Sequence, residues 1–208
     1  MSTLQHVFYR TLTCRTGELR IAHTKRILML WVLLGVGMGT ALSCYDATAA
    51  DTLWLDHGLA VADTAQNLWD VFAPCLFPTI LLMVLILLCG FCAIGQPAAL
   101  FLLLSHGCAV GIAAADCFLC HGFLQGLVQA AAMIVPHGFF SSLLLLLAAR
   151  DAMELSGRLF AYLVHGDTEP DIRSRTRRYF LHFLGRTALL PLGAAAQTLF
   201  VWLFAAFS

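Results

Sequence analysis

Charged residues are scarce in this chain, and that scarcity excludes most classes of soluble protein. Only 12% of the 208 residues are charged, whereas 60% are hydrophobic, and the mean hydropathy is +0.83. This balance departs strongly from that of ordinary soluble domains. The formal net charge is zero, and the basic residues border apolar runs, where anionic lipid headgroups explain them. We therefore expect a polytopic membrane protein with membrane lipids, and no nucleic acid, among its partners.

The sequence also lacks the motifs of the common catalytic sites. It contains no nucleophile with a paired base, no phosphate-binding loop and no pair of catalytic carboxylates. The eight cysteines lie mostly within apolar runs, where a thiol behaves as a small hydrophobic group and not as part of a disulfide framework. We expect a protein that is not an enzyme and that carries no cofactor and no metal.

Two of the cysteine patterns resemble ligand-binding motifs. Cys89 and Cys92 form one CxxC pair and Cys117 and Cys120 form another, which is the spacing of a zinc ribbon. The predicted spans place the two pairs at opposite faces of the membrane, so they cannot share one ion. Cys120 is followed by His121, which completes a haem-attachment pattern, but that pattern begins an apolar helix. Packing cysteines are the favoured interpretation.

A third pattern surrounds Cys75, which lies between Pro74 and Pro78. Proline-flanked cysteines of this kind are typical of membrane thiol-disulfide carriers. Such carriers need a second reactive cysteine within disulfide reach, and the motif does not recur in the chain. A membrane thiol-disulfide carrier is therefore the least favoured alternative.

The few charges fall in blocks that predict a membrane topology. Residues 1–26 carry five Lys or Arg, residues 45–73 carry five Asp and no Lys or Arg, and residues 150–178 carry six Arg. Lys and Arg in short loops stay in the cytoplasm, whereas acidic residues have little influence on orientation. The first and third blocks are therefore predicted to be cytoplasmic, and residues 45–73 to form an outer loop.

Apolar runs long enough to cross a bilayer lie between these blocks. We predict spans over residues 27–44, 74–94, 98–115 and 179–207, with a tight hairpin at Gly95 and Pro97 joining the second span to the third. Gly107 and Gly111 form a face of small residues that favours close helix packing. The N-terminus is predicted to be cytoplasmic.

The stretch over residues 117–149 has room for two crossings or for one interrupted crossing. Two crossings would place the Arg-rich block outside, so one is predicted. We expect a re-entrant half-helix over residues 120–135, a break at Pro136, His137 and Gly138, and a second piece over residues 139–155. His137 is able to bond carbonyl groups that the break frees, or simply to cap the helix.

The outer segment predicts either an amphipathic helix over residues 51–72 or a plain loop. Trp54 and Trp69 lie there among acidic residues, and exposed Trp is enriched in binding interfaces. Both are candidate partner contacts, with interfacial anchoring as the alternative. The fold prediction is therefore one all-α membrane domain over residues 1–208, a helical bundle of five transmembrane helices with a re-entrant half-helix and an outer amphipathic helix.

Several of these features follow one another in a recognisable order. They are a basic N-terminal segment, one span, an outer helical segment, a hairpin at residues 94–97, the run SHGCAVG at residues 105–111 and the run IVPHGF at residues 134–139. This order resembles the stage II sporulation protein M family over roughly residues 20–160. Many members carry a Glu shortly after the Pro-His-Gly turn, and Ser141 stands there in this chain.

The resemblance implies a multi-pass protein of the bacterial cytoplasmic membrane that helps the mother cell engulf the forespore. In that family the subunit is a non-enzymatic scaffold at the septal membrane. It holds peptidoglycan hydrolases, a lytic transglycosylase and an amidase/endopeptidase. Relatives also occur in bacteria that do not sporulate. A small transporter or permease subunit, with the broken helix lining a cavity, is the alternative, and a homo-oligomer is compatible with both.

Overall fold

The computed structural model describes the backbone of residues 2–45, 68–93, 95–133, 135–165 and 172–207, and this part of the chain is helical apart from short turns. The predicted all-α class is confirmed for these residues. We number the helices α1 (Ser2–Tyr45), α2 (Leu68–Phe91), α3 (Gly95–His121), α4 (Phe123–Met133), α5 (Phe140–His165) and α6 (Ile172–Phe207). A π-helical turn, Val135–Phe139, joins α4 to α5. Of the predicted outer helix, residues 51–67 lie outside the described residues, and residues 68–72 begin α2.

The basic N-terminal segment and the first predicted span form one continuous helix, α1. Its apolar half buries Leu28, Gly35, Gly39 and Ser43, which recur at helical spacing and form one stripe. The large apolar side chains on its other faces are exposed, namely Ile27, Met29, Leu30, Leu33, Leu34, Met38 and Leu42. Apart from Leu28, this half of α1 therefore buries small residues and exposes large ones, the reverse of a surface helix in water.

The buried stripe of α1 packs against α3, and this is the most extensive helix contact in the structure. A Cβ atom on Gly35 would collide with the carbonyl oxygen of Leu104, and a Cβ atom on Gly111 would collide with that of Val36. Gly107 lies against the backbone of Gly35, at the close approach that its spacing from Gly111 predicts. The two backbones touch because both helices carry glycine at the interface.

The predicted hairpin between α2 and α3 is present, and Gly95 is essential to it. A Cβ atom on Gly95 would collide with the carbonyl oxygen of Cys89, and the Gly95 amide donates to the Cys92 carbonyl at 3.0 Å. Pro97 follows in the first turn of α3, where its missing N–H costs no hydrogen bond. We call this end of the bundle the hairpin end.

The chain reverses again at Gly122, between α3 and α4. Gly122 has a φ angle of 75°, in the left-handed region that glycine adopts most readily. Beyond it, Gly126 lies against the Cys117 carbonyl of α3. A Cβ atom at position 126 would lie only 2.6 Å from that carbonyl oxygen. We call this opposite end the Gly122 end.

The interruption at Pro136, His137 and Gly138 differs from the predicted break. These residues form the π-helical turn, so the helix widens and continues. Pro136 has no N–H for the regular ladder, and a wider turn accommodates that loss. Gly126 lies level with Cys117, and Ser142 lies level with His106 farther down α3. α4, the π turn and α5 therefore descend together along α3 as one interrupted helix.

Paired contacts give the direction of the remaining helices. α5 runs parallel to α2, because Thr79 meets His137 and Cys92 meets Ser156. α6 runs antiparallel to α5, because Leu147 meets Arg186 and Phe140 meets Gly193. α1, α3 and α6 thus run towards the Gly122 end, and α2 and α5 run towards the hairpin end. Their inner faces enclose an apolar core that includes Leu28, Met83, Ile86, Leu103, Leu145, Ala149 and Leu190.

Two stretches of the described helices are long and apolar enough to cross a membrane. They are Thr24–Tyr45 and Gly95–Leu119, and a third apolar stretch, Cys75–Phe91, is shorter. Thr24–Tyr45 is mostly exposed, whereas half of Gly95–Leu119 is buried inside the bundle. Length and composition therefore support membrane association.

We predict that Gly107→Leu destabilises the bundle, because the added side chain meets the α1 backbone. Overpacking of this kind costs about 1–3 kcal/mol of unfolding free energy, and a rigid backbone neighbour favours the upper part of that range. Gly37→Leu is the matched control, since a Cβ atom on Gly37 meets nothing within 4 Å. Reversible unfolding in detergent micelles measures both variants, and equal losses at the two positions would contradict the packing described for α1 and α3.

Candidate functional site

Polar side chains from α2, α3, the π turn and α5 meet inside the bundle. They are Thr79, His106, His137, Ser141 and Ser142, and the first four are no more than 6% exposed. His106 lies about 16 Å along α3 from Gly95 and about 22 Å from His121, at 1.5 Å per residue. We call this group the histidine cluster, and it lies near the middle of the bundle's depth.

The hydroxyl of Thr79 joins His137 to α2. Thr79 Oγ1 lies 3.1 Å from the Cys75 carbonyl oxygen and 3.2 Å from His137 Nε2. A hydroxyl is able to donate one hydrogen bond and to accept others. Thr79 therefore links the imidazole of the π turn to the backbone of α2.

His106 makes a similar contact, with a serine hydroxyl in place of the threonine hydroxyl. The Ser142 hydroxyl donates to the Gly138 carbonyl at 2.6 Å, and Ser142 Oγ lies 3.0 Å from His106 Nε2. The Ser141 hydroxyl also donates to the Gly138 carbonyl, at 3.2 Å. This contact joins His106 of α3 to Ser142 of α5. Each imidazole is linked through one hydroxyl to one backbone carbonyl.

Among the described residues, no group of three or more His, Cys, Asp or Glu side chains is placed to hold a metal ion. Each imidazole instead connects two elements of the bundle through a hydroxyl, His137 reaching Thr79 of α2 and His106 reaching Ser142 of α5.

A second polar centre joins α5 to α6 nearer the hairpin end. Arg186 Nη2 donates to Asp151 Oδ2 at 2.7 Å, and Arg186 Nη1 donates to the Leu147 carbonyl at 3.0 Å. Both side chains of the ion pair are 17% exposed, and His182 Nδ1 lies 3.5 Å from the same Asp151 oxygen. Arg186 lies inside the last predicted span, and the sequence analysis did not identify it as a site residue.

The hairpin end also carries an open groove of about 600 Å³, lined by Phe91, Thr176, Arg177, Phe180 and Leu181. Its walls are mostly aromatic or aliphatic, and Arg177 supplies a positive charge.

The residues predicted from sequence divide into two groups. Gly95, Gly107 and Gly111 lie at close backbone contacts, and His137 enters the histidine cluster. The cysteine pairs are far apart, because Cys92 lies at the hairpin end and Cys117 near the Gly122 end, about 33 Å along α3. The side chains of Cys120 and His121 lie outside the described residues, as does Trp54.

Trp69 is described, and its side chain is 69% exposed near the start of α2. Its ring stacks on Phe72, with 5.4 Å between the ring centroids. Cys75 lies one turn beyond Phe72 and is buried, and a buried thiol is poorly accessible for disulfide exchange. Trp69 therefore presents an exposed aromatic surface at the Gly122 end, whereas the Cys75 thiol is not accessible there.

Comparisons with protein-family models, with curated proteins and with solved structures find no match to this chain.

We predict that the Asp151–Arg186 pair contributes a coupling free energy of about 1–3 kcal/mol, because a charged hydrogen bond shielded from water is involved. A double-mutant cycle with Asp151→Asn and Arg186→Met, followed by unfolding in micelles, measures this coupling. The exposed pair of Arg158 and Glu154, at 2.9 Å on α5, is the matched control. We expect about 0.3–0.5 kcal/mol for it. A coupling for the Asp151–Arg186 pair no larger than that of the control would contradict the partial shielding of this pair from water.

Proposed function

We propose that this chain is a multi-pass membrane protein that crosses the bilayer five times, with the hairpin end in the cytoplasm. The crossings are α1, α2, α3, the interrupted helix from α4 to α5, and α6. The observation that carries the proposal is the partition of charge between the two ends. The basic residues Lys25, Arg26, Arg158, Arg177 and Arg178 lie towards the hairpin end. At the opposite end α1 ends and α2 begins, and the acidic residues of segment 45–73 fall between them in the sequence. Positive charge on the cytoplasmic side is the usual arrangement.

The outer surface of the bundle supports the same proposal. Large apolar side chains are exposed on all the long helices, among them Leu33, Leu81, Leu88, Phe101, Leu143, Leu184 and Leu192. A soluble monomer rarely exposes so much contiguous apolar surface. Lipid is the solvent that this surface suits.

We infer further that the protein is a non-enzymatic scaffold for partners outside the cytoplasm. Exposed aromatic side chains at the Gly122 end support this, namely Tyr45, Trp69 and Phe123. The bundle beneath them is held by direct backbone contact between α1 and α3, which makes a rigid support. The resemblance described above indicates the partners, a lytic transglycosylase and an amidase/endopeptidase at the septal membrane during spore engulfment.

A small transporter or permease subunit is the second candidate. The observation that favours it is the buried imidazole pair at mid-depth, because ionisable groups inside a bundle often mark a solute or proton path. Affinity purification with mass spectrometry separates the candidates. A scaffold should retain wall hydrolases, a permease subunit should retain an ATPase, and a thiol-disulfide carrier should retain thioredoxin-like proteins.

We predict that a single cysteine at position 174, in an otherwise cysteine-free chain, is not labelled by a membrane-impermeant thiol reagent in intact cells. Ser174 is exposed in the first turn of α6, which the proposed topology places in the cytoplasm. Tyr45→Cys in the same background is the control and should be labelled, since Tyr45 is exposed at the other end. Labelling at 174 without lysis would contradict the five-crossing topology.

We predict that Trp54→Ala combined with Trp69→Ala leaves membrane abundance unchanged and reduces co-purification of the hydrolases at least tenfold. The reason is that aromatic side chains dominate many binding interfaces. Phe160→Ala is the matched control, because Phe160 is also an exposed aromatic residue but lies at the hairpin end of α5. If both tryptophans serve only as bilayer anchors, abundance falls and the hydrolase yield per molecule stays constant, which would overturn the docking role.

Replacing Cys75, Cys89, Cys92, Cys117 and Cys120 together by Ser or Ala gives a second control. A scaffold should keep its hydrolases in this variant at matched membrane abundance. Their loss here, with retention in the tryptophan variant, would favour the redox or metal alternatives.

A further inference from the structure

The groove at the hairpin end has a charged end and an apolar end. Arg177 and Thr176 lie nearer the start of α6, and Leu181 follows Arg177 by about 6 Å along the helix. Phe180 and Phe91, the last residue of α2, complete the apolar walls. Because α6 begins at the hairpin end, the charge lies at the outer rim and the apolar walls lead towards the middle of the bundle.

The apolar walls are open to a ligand of considerable size. Phe91, Phe180 and Leu181 are between 46% and 55% exposed, so the bundle itself leaves half of this surface uncovered. The groove volume of about 600 Å³ lies within the range of about 300–1,000 Å³ that small-molecule sites span. The groove is therefore large enough to hold part of an acyl chain.

The positive charge at the rim is not balanced by the described part of the chain. The carboxylates described at this end are Asp151 and Glu154, and each forms an ion pair with another arginine of the bundle. Arg177 and its neighbour Arg178 are exposed, and neither has a carboxylate partner among the described residues. From Ile172 to Phe207 the sequence of α6 contains no Asp or Glu. An anion at the rim would supply the missing charge.

The two ends of the groove together specify one class of ligand. A guanidinium group donates hydrogen bonds in a planar fork that matches a phosphate group. Inorganic phosphate would satisfy Arg177 but leave the apolar walls uncovered, and a lipid without net charge would cover the walls but leave the positive charge unbalanced. An anionic phospholipid satisfies both ends. Its headgroup would lie at the outer rim and its acyl chain would extend inwards, as lipids are oriented in a leaflet.

We propose that this groove binds one anionic phospholipid, with the lipid phosphate on Arg177 and an acyl chain along Phe91, Phe180 and Leu181. The site differs from the general attraction of basic residues to a membrane surface, because it has apolar walls from two helices and a single place for the phosphate. The bound lipid contacts both α2 and α6. The proposal rests on the membrane placement proposed above, and it is independent of the scaffold role.

The test uses the full chain in detergent micelles, with phosphatidylglycerol or with phosphatidylcholine of the same acyl chains. Native mass spectrometry counts the lipids that stay bound and gives their affinities. We expect one phosphatidylglycerol per chain, bound at least fivefold more tightly than phosphatidylcholine, since one basic residue near an anionic headgroup contributes about that factor. Excess inorganic phosphate should not displace it.

Two variants locate the site. Arg177→Gln should lower the affinity for phosphatidylglycerol about fivefold and leave that for phosphatidylcholine unchanged. Arg26→Gln is the matched control, because it removes the same charge from an exposed position of α1 that does not line the groove. It should leave both affinities unchanged.

Three results would overturn the proposal. They are equal affinity of the unaltered chain for the two lipids, equal losses in the Arg177 and Arg26 variants, and displacement of phosphatidylglycerol by inorganic phosphate. The first and third need no variant, so they stand even where Arg177→Gln fails to fold. The labelling at position 174 reports the topology separately. A chain that stays unlabelled there but shows no preference for phosphatidylglycerol would refute the lipid site and leave the five crossings intact.

Discussion

Polar groups inside an apolar helical bundle must find their partners within the bundle, because neither lipid nor a dry core supplies any. That requirement accounts for most of the contacts that join the helices here. Ser43 of α1 donates to Asp116 of α3 at 2.8 Å, and Ser156 of α5 donates to the Cys92 carbonyl at 2.7 Å. Arg186 joins α6 to α5. Each helix is therefore held by a few polar contacts set into an otherwise apolar surface.

The second requirement is close approach, and it depends on glycine. Apolar side chains gain little by leaving lipid for another helix, so helices in such a medium are stabilised by tight packing. α1 and α3 meet this requirement at Gly35, Gly39, Gly107 and Gly111, where the backbones touch. Most of the large apolar side chains of α1 remain outside, and its buried stripe consists of small residues apart from Leu28.

Local patterns allowed part of this structure to be predicted. The hairpin at Gly95 and the helix-packing face at Gly107 and Gly111 depend on residues close in sequence, so spacing alone indicates them. The chain reversal between the predicted span over residues 98–115 and the half-helix over residues 120–135 was expected, but Gly122 was not identified as its turn residue, because a lone glycine resembles many others until its φ angle is known. The sequence pattern predicted the interruption at the correct residues, Pro136 to Gly138. It predicted a break in the helix, whereas the structure has a widened π-helical turn.

The site was predictable only in pieces, because its members are far apart along the chain. His137 was identified from its place after Pro136, but its partner Thr79 lies 58 residues away and carries no signal in a run of Ile and Leu. Likewise, Asp151 and Arg186 are 35 residues apart and belong to different predicted regions, one a loop and one a span. Pairings of this kind follow from helix register, which the sequence of a single chain does not specify.

The geometry of the histidine cluster shows how the interrupted helix is held. Thr79 Oγ1 lies within hydrogen-bond distance of the Cys75 carbonyl and of His137 Nε2, and Ser142 Oγ lies within that distance of the Gly138 carbonyl and of His106 Nε2. Each imidazole is thus joined through one hydroxyl to one backbone carbonyl, whichever ring nitrogen carries its proton. The π turn is therefore tied to α2 through His137 and to α3 through Ser142 and His106. Because the widened turn gives up part of the regular ladder, these two lateral links are what fix its position between the neighbouring helices.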